Sequence, residues 1–321
     1  MLFRSVYYLH QYDALTPQEE VLSTLDGFVR SGKVRMTAED NYLSNGNDSG
    51  RLDFSYTNPV LGLRWTVAPG LNLHASAARG YESPTLGEVA YQLDNVAGFN
   101  TGLKAQTSRQ AEVGAKWRSG ALQADVALFE SRVADEIVIA SNAGGRSSFQ
   151  NAGRTLRRGA ELSSRWQLAS AWQVALAATW LDATYLDAFK TCAGIPCTAP
   201  NLLVPAGSRL PGTQRTSGWA ELAWKGVAWG DWGLEARGVG RTPVNDVNSD
   251  FAGGYGTASL RWSKAYALGS SGRRFELLLR VDNLFDRVYA GSLIVGDANG
   301  RFFEAGAPRK AMLALRLVGG L

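Results

Sequence analysis

At 321 residues, 45% hydrophobic and 19% charged, the chain is too long for one small domain, and its formal net charge of +4 is small. Its arginines are scattered rather than gathered in a patch, which argues against nucleic-acid binding. No run of about 18 apolar residues is present, which excludes a membrane-spanning helix but not strands that hide an apolar face at alternate positions.

Met1–Thr37 is weakly patterned, with Val6–Leu15 and Val21–Thr37 as candidate strands joined near Thr16 and Pro17. The opening residues lack the apolar core and cleavage site of a secretory signal, so the natural N-terminus is expected upstream of Met1. Glu39–Gly50 is crowded with Asn, Asp and Gly and reads as a loop. Leu61, Leu63, Trp65 and Val67 then alternate with Gly62, Arg64 and Thr66. Ala68–Gly70 turns the chain, and Leu71, Leu73, Ala75 and Ala77 alternate back against Asn72, His74 and Ser76, which is a hairpin.

The same period-two pattern recurs to the end of the chain. Apolar positions run through Ala111–Trp117, Leu122–Leu128, Ala160–Trp166, Trp172–Trp180, Ala220–Trp224, Trp232–Ala236, Ala258–Trp262, Phe275–Val281 and Leu313–Leu317. Between them lie mostly Gln, Glu, Arg, Lys or Asp, with small residues such as Ala175, Thr179, Ser259 and Ala314. Short connections fall near Ala68–Gly70, Ser119–Gly120, Leu168–Ala171, Lys225–Gly230 and Leu268–Gly272. They alternate with long ones at Glu39–Arg51, Glu82–Gln106, Ala140–Phe149, Ala188–Leu210, Arg241–Asp250 and Ala290–Ala305. The count is about thirteen strands of the length a spanning barrel uses.

A soluble all-β protein explains alternation but not loops sorted by length to one end, nor Arg and Glu on one face of strand after strand. A helix over Ala169–Leu186 would spread Trp172, Val174, Leu176, Ala178 and Trp180 around its circumference, whereas a strand puts them on one side. The fold expected is therefore all-β: an antiparallel transmembrane β-barrel with long extracellular loops and short periplasmic turns. Its apolar face meets lipid, because exposed polar groups in hydrocarbon cost several kcal/mol each (~2–7). Trp65, Trp117, Trp166, Trp172, Trp224, Trp232 and Trp262 lie on that face near the short turns, as a periplasmic aromatic girdle would.

Four segments resemble the TonB-dependent receptors of the Gram-negative outer membrane: Ala78–Glu88, Gly102–Gly114, Asn151–Glu161, and Val281–Tyr289 followed by Gly306–Arg309. The family's usual "L-K-P-E" reads Leu103-Lys104-Ala105-Gln106 here, and the usual aromatic C-terminus is replaced by Leu321. The resemblance covers most of Asn58–Leu321, with residues 1–52 weakly patterned and 53–321 well patterned. It implies the C-terminal portion of a 22-stranded barrel. Nothing in the chain resembles the family's N-terminal plug, through which TonB would act. The chain alone is expected to form an open curved sheet, or a strained small barrel, and not to transport.

The resemblance implies TonB-energised uptake of a large scarce nutrient, most often a ferric siderophore or similar iron chelate. That ligand is cargo; no resident cofactor and no nucleic-acid partner are expected, and the barrel's partner is outer-membrane lipid. Loop candidates for ligand contact are Tyr42, Tyr91, Phe99, Arg146, Phe149, Phe302 and Phe303, since aromatics with arginine suit a flat anionic chelate. Ordinary soluble loops with occasional aromatics explain them equally well. Cys192 and Cys197, the sole cysteines, fall in one extracellular loop of an oxidising compartment and are expected to form a disulfide. The rival readings are a stand-alone barrel, either an autotransporter translocator or a passive porin, and a barrel enzyme. His10 and His74 are the only histidines, and no third group is placed to orient His74, so no catalytic or metal site is expected.

Overall fold

The computed structural model describes residues 29–38, 50–92, 99–143, 146–194, 197, 199–226, 228–269 and 273–319. The candidate strand Val6–Leu15, His10 and Tyr42 lie outside the described residues. The strands are β1 (Val29–Ala38), β2 (Gly50–Ala68), β3 (Leu71–Glu82), β4 (Gln106–Ser119) and β5 (Leu122–Ala134). Then follow β6 (Ile137–Ala143), β7 (Arg146–Asn151), β8 (Thr155–Ala169), β9 (Trp172–Tyr185), β10 (Phe189–Thr191) and β11 (Leu202–Val204). The remainder are β12 (Thr216–Trp224), β13 (Asp231–Val239), β14 (Thr242–Pro243), β15 (Phe251–Ala252), β16 (Tyr255–Leu268), β17 (Arg273–Asp282), β18 (Ala290–Leu293), β19 (Phe303–Ala305) and β20 (Lys310–Val318).

Twelve of these make one sheet in the order β1-β2-β3-β4-β5-β8-β9-β12-β13-β16-β17-β20, and every neighbouring pair is antiparallel. Among the described residues β1 and β20 do not pair with each other, so the sheet is open. Among the described residues the sheet has twelve strands, and within the second candidate strand, Val21–Thr37, the described part is strand from Val29. The other strands pair off as the hairpins β6–β7, β10–β11, β14–β15 and β18–β19, all inside long connections that the sequence marks only as loops.

The outward face is continuous apolar surface. Leu63 is 67% exposed, Trp65 65%, Leu315 62% and Leu317 70%. In water a face of that extent would be an aggregation site; in hydrocarbon it matches its solvent. The tryptophans near the short turns pair across strands: Trp172 opposes Trp224 with ring centroids 6.3 Å apart, and Trp232 opposes Trp262 at 6.4 Å. Trp262 Nε1 donates to the Trp229 carbonyl at 2.8 Å, so its ring sits in the apolar band while its polar edge is satisfied in the turn. Gly70, at φ +81°, accepts from Arg118 N at 2.7 Å, and a Cβ there would collide with the Arg118 carbonyl.

The inward face carries the charges. Arg280 makes two bonds to Glu235, at 2.7 and 2.8 Å, and a third to Asp282 at 2.7 Å. Arg261 bridges Glu221 to the same Glu235. His74 Nε2 lies 3.1 Å from Glu112, its ring passing over Gly114, where any Cβ would overlap it. These half-buried pairs, held in strand register, keep the charges they join partnered in a polar interior.

Candidate functional site

The long connections fold over the end of the sheet opposite the tryptophan pairs, and they are packed. Leu86–Val89 forms one helical turn closed by a capping box: Thr85 Oγ1 accepts from Glu88 N at 3.3 Å, and Glu88 Oε2 accepts from Thr85 N at 2.7 Å. Val89, Phe99 and Leu103 make a buried cluster against Leu52, Phe54, Ile137 and Phe149. A second cluster joins Ala152, Ala183, Tyr185, Val204 and Leu210 to Phe189 and Val247. The loops thus carry small cores of their own.

Hydrogen bonds then tie loop to loop. Asn100 Nδ2 donates to the Phe149 carbonyl (3.0 Å), and Thr191 Oγ1 and Cys192 N donate to the Ala140 carbonyl (3.1 and 3.2 Å). Ala298 N donates to the Asn142 carbonyl (3.0 Å), and Gly296 N to the Val244 carbonyl (2.9 Å). The β6–β7 hairpin therefore reaches the connection before β20, several strands away around the sheet, and the loops form a continuous cap. Cys192 and Cys197 are joined as a disulfide, Cα–Cα 5.9 Å.

Asparagine side chains are the recurring fastener. The amide of Asn151 accepts from Lys104 N (2.8 Å) and donates to Lys104 O (3.0 Å); Asn248 does the same to Arg209 (2.7 and 2.8 Å) and Asn283 to Arg287 (2.8 and 2.9 Å). Each carboxamide mimics a strand partner for one residue of backbone, offering donor and acceptor together. Asn248 and Asn283 take positive φ, +57° and +50°, which asparagine tolerates better than most residues. Asp286 adds a bond from Arg309 N at 2.7 Å. The segments Asn151–Glu161 and Val281–Arg309 thus have a mechanical role, fastening loop to strand. Gln106, at the departure from "L-K-P-E", bridges Glu82 (2.6 Å) and Ile137 N (3.0 Å).

The candidate contact residues divide. Arg146 lies over the Tyr91 ring, its guanidinium carbon 5.3 Å from the centroid, at the tip of the β6–β7 hairpin. Phe302 and Phe303 meet edge to face at 6.1 Å, and Phe303 is exposed. Phe99, buried, and Phe149, half-buried, both pack in the first loop cluster. Sequence reasoning missed Arg241, whose guanidinium stacks 3.7 Å from the Phe251 centroid. Two such arginine–aromatic pairs give the cap flat, cationic surfaces. Among the described residues no group of three or more His, Cys, Asp or Glu side chains could hold a metal ion.

Asp246 is the titrating group of the cap. Burial raises its pKa from 3.8 to about 6, partly opposed by the hydrogen bond it accepts from Tyr185 Oη at 2.6 Å. A raised carboxylate pKa means the fold binds a proton that the open loop releases, so cap stability falls as pH rises from about 4 to about 6 and is flat above. The span corresponds to roughly 3 kcal/mol. Hydrogen exchange across residues 242–252, corrected for intrinsic rates, will lose protection over that window in the native protein and not in Asp246→Asn. Protection that rises with pH, or an unchanged profile in the variant, would contradict this.

An antiparallel sheet that is apolar outside, charged inside and overlaid at one end by packed loops defines an outer-membrane β-barrel protein with a built extracellular surface. The family model described as "TonB dependent receptor-like, beta-barrel" matches residues 26–284, and the chain belongs to that family. It is thus a Gram-negative outer-membrane protein. Similar solved structures include the copper transporter OprC (17% identity, TM-score 0.67), covering 90% of this chain and 43% of OprC. The ferric-catecholate import receptor Fiu of E. coli K12 matches at 20% identity and TM-score 0.62, over 90% of this chain and 41% of Fiu. The ferric yersiniabactin uptake receptor FyuA of Yersinia pestis matches at 19% and 0.64, over 90% of this chain and 42% of FyuA. At these identities the likeness is one of fold, and the chain spans less than half the length of each of these proteins.

Proposed function

We propose that this barrel portion serves a receptor that captures an iron chelate of the ferric-siderophore class at its loop cap, for uptake energised through TonB and a plug domain. The observation that carries the reading is the pairing of Arg146 with Tyr91 and of Arg241 with Phe251 on the cap. Each presents an aromatic face and a fixed cation together, which suits a flat, anionic, partly aromatic chelate better than a neutral sugar or a bare ion. The receptor names among the similar folds, Fiu and FyuA, point the same way.

The test is growth of a receptor-deletion strain, complemented with the full-length gene, on a panel of ferric catecholate, ferric phenolate and copper chelates. One ferric chelate is expected to restore growth, and Arg146→Ala is expected to weaken its binding about tenfold, roughly 1.4 kcal/mol. Rescue by a copper chelate alone would overturn the iron reading. Undiminished binding in Arg146→Ala would remove the residues from the site.

A further inference from the structure

The outward face ends, at its extracellular rim, in an unusual row. Arg79, Arg109 and Arg132 are direct cross-strand neighbours on β3, β4 and β5. All three are exposed and share the face of Ala77, Val113 and Leu128. Like charges placed opposite each other on adjacent strands are destabilising. One acid helps: Glu130 accepts from Arg132 at 2.8 Å. Among the described residues Arg79 and Arg109 have no acidic partner. Farther round the sheet the outward arginines are partnered, with Arg158 and Arg215 sharing Asp182 at 3.1 and 3.4 Å. Within this row the unpartnered arginines are those of β3 and β4.

Height places the row. From the girdle residue Trp117 to Arg109 the strand runs eight residues, about 27 Å along the chain. At a tilt of about 40° that is roughly 20 Å along the membrane normal, close to the ~25 Å apolar band. The guanidiniums sit where lipid headgroups begin, within snorkelling reach.

Beside Arg79 the sheet opens. The β2–β3 ladder runs from Ala68↔Leu71 to Val60↔Ala78 and stops there. The two strands bound a groove of about 330 Å³ lined by Ser55, Thr57, Arg79, Tyr81 and Thr107, with Tyr56 stacked on Tyr81 at 5.1 Å. The groove thus offers a cation and hydroxyls at lipid-headgroup depth.

We infer that the Arg79–Arg109–Arg132 row and the adjoining groove bind the phosphorylated, hydroxyl-bearing headgroup of an outer-leaflet lipid. The phosphate neutralises the unmatched arginines, and headgroup hydroxyls meet Ser55, Thr57 and Thr107 along the groove. Its acyl chains lie along the apolar face directly below.

The test uses the purified protein in lipid-free detergent, with a bisphosphorylated glucosamine lipid, its dephosphorylated counterpart and inorganic phosphate as probes, read by native mass spectrometry and thermal melting. The native protein is expected to retain the phosphorylated lipid at least tenfold better than the dephosphorylated one and to melt higher with it; millimolar inorganic phosphate should not displace it. Arg109→Gln should melt higher than the native protein without lipid, because repulsion is relieved, yet lose the lipid-induced rise; Arg109→Lys should keep most of it. Equal retention of both lipids, displacement by inorganic phosphate, or an undiminished lipid response in Arg109→Gln would overturn the inference.

Discussion

Val126→Arg will prevent the protein from inserting into liposomes, while Gln123→Glu on the same strand, a charge flanked by two arginines, will insert normally. Val126 stands on the outward face of β5, 43% exposed, between Ala115 of β4 and Leu162 of β8. An arginine there must leave its charge near mid-bilayer, at a cost of about 2–4 kcal/mol. Gln123 is on the opposite side of the strand, facing the polar interior with Arg118 and Arg165 as cross-strand neighbours. The readout is the fraction of protein that becomes heat-modifiable on gels after refolding. Equal insertion of the two variants would mean that the faces are not divided between lipid and water.

Asn283→Asp will loosen the junction between β17 and β20. Asn283 is 4% exposed and donates through Nδ2 to the carbonyls of Arg287 (2.9 Å) and Ala307 (3.1 Å). A carboxylate keeps the bond from Arg287 N but turns an acceptor toward both carbonyls, stranding them in a buried place. The expected destabilisation is about 2–4 kcal/mol. It should appear as a lower melting temperature in detergent and as proteolytic nicking between residues 283 and 309. An unchanged melt would show that the clamp is incidental.

What was legible from the sequence follows from what repeats. Period two survives in every strand of the main sheet from β2 onward because each outward position meets the same solvent, so Leu61 or Leu313 can be assigned to lipid from its neighbours alone. Loop interiors have no such rule. Phe99 and Phe149 are chemically indistinguishable from ligand-facing aromatics, and only the packing against Val89 and Leu103 shows that they hold the loop together. The β6–β7 hairpin lay hidden because Ala140–Phe149 is rich in Ser, Asn and Gly, residues that read as turn formers; its strands are fixed by pairing such as Ile139 with Phe149 rather than by propensity. Asn248 could not be found, since its partner Arg209 is distant in sequence and no local pattern marks a side-chain amide that mimics a strand. The resemblance located Asn151 and Asn283, but their clamping role emerged only from the bonds they make.

The most direct measurement is a nitroxide scan of β5 from Leu122 to Phe129 in a bilayer, one introduced cysteine at a time, with Cys192 and Cys197 already consumed by their disulfide. Collision rates with oxygen, which concentrates in hydrocarbon, and with a water-soluble nickel chelate are compared at each position. Oxygen access is predicted to peak at Leu122, Ala124, Val126 and Leu128, with nickel access peaking at Gln123, Asp125, Ala127 and Phe129. A profile with no period of two, or with both reagents in phase, would contradict a sheet that divides lipid from a wet interior.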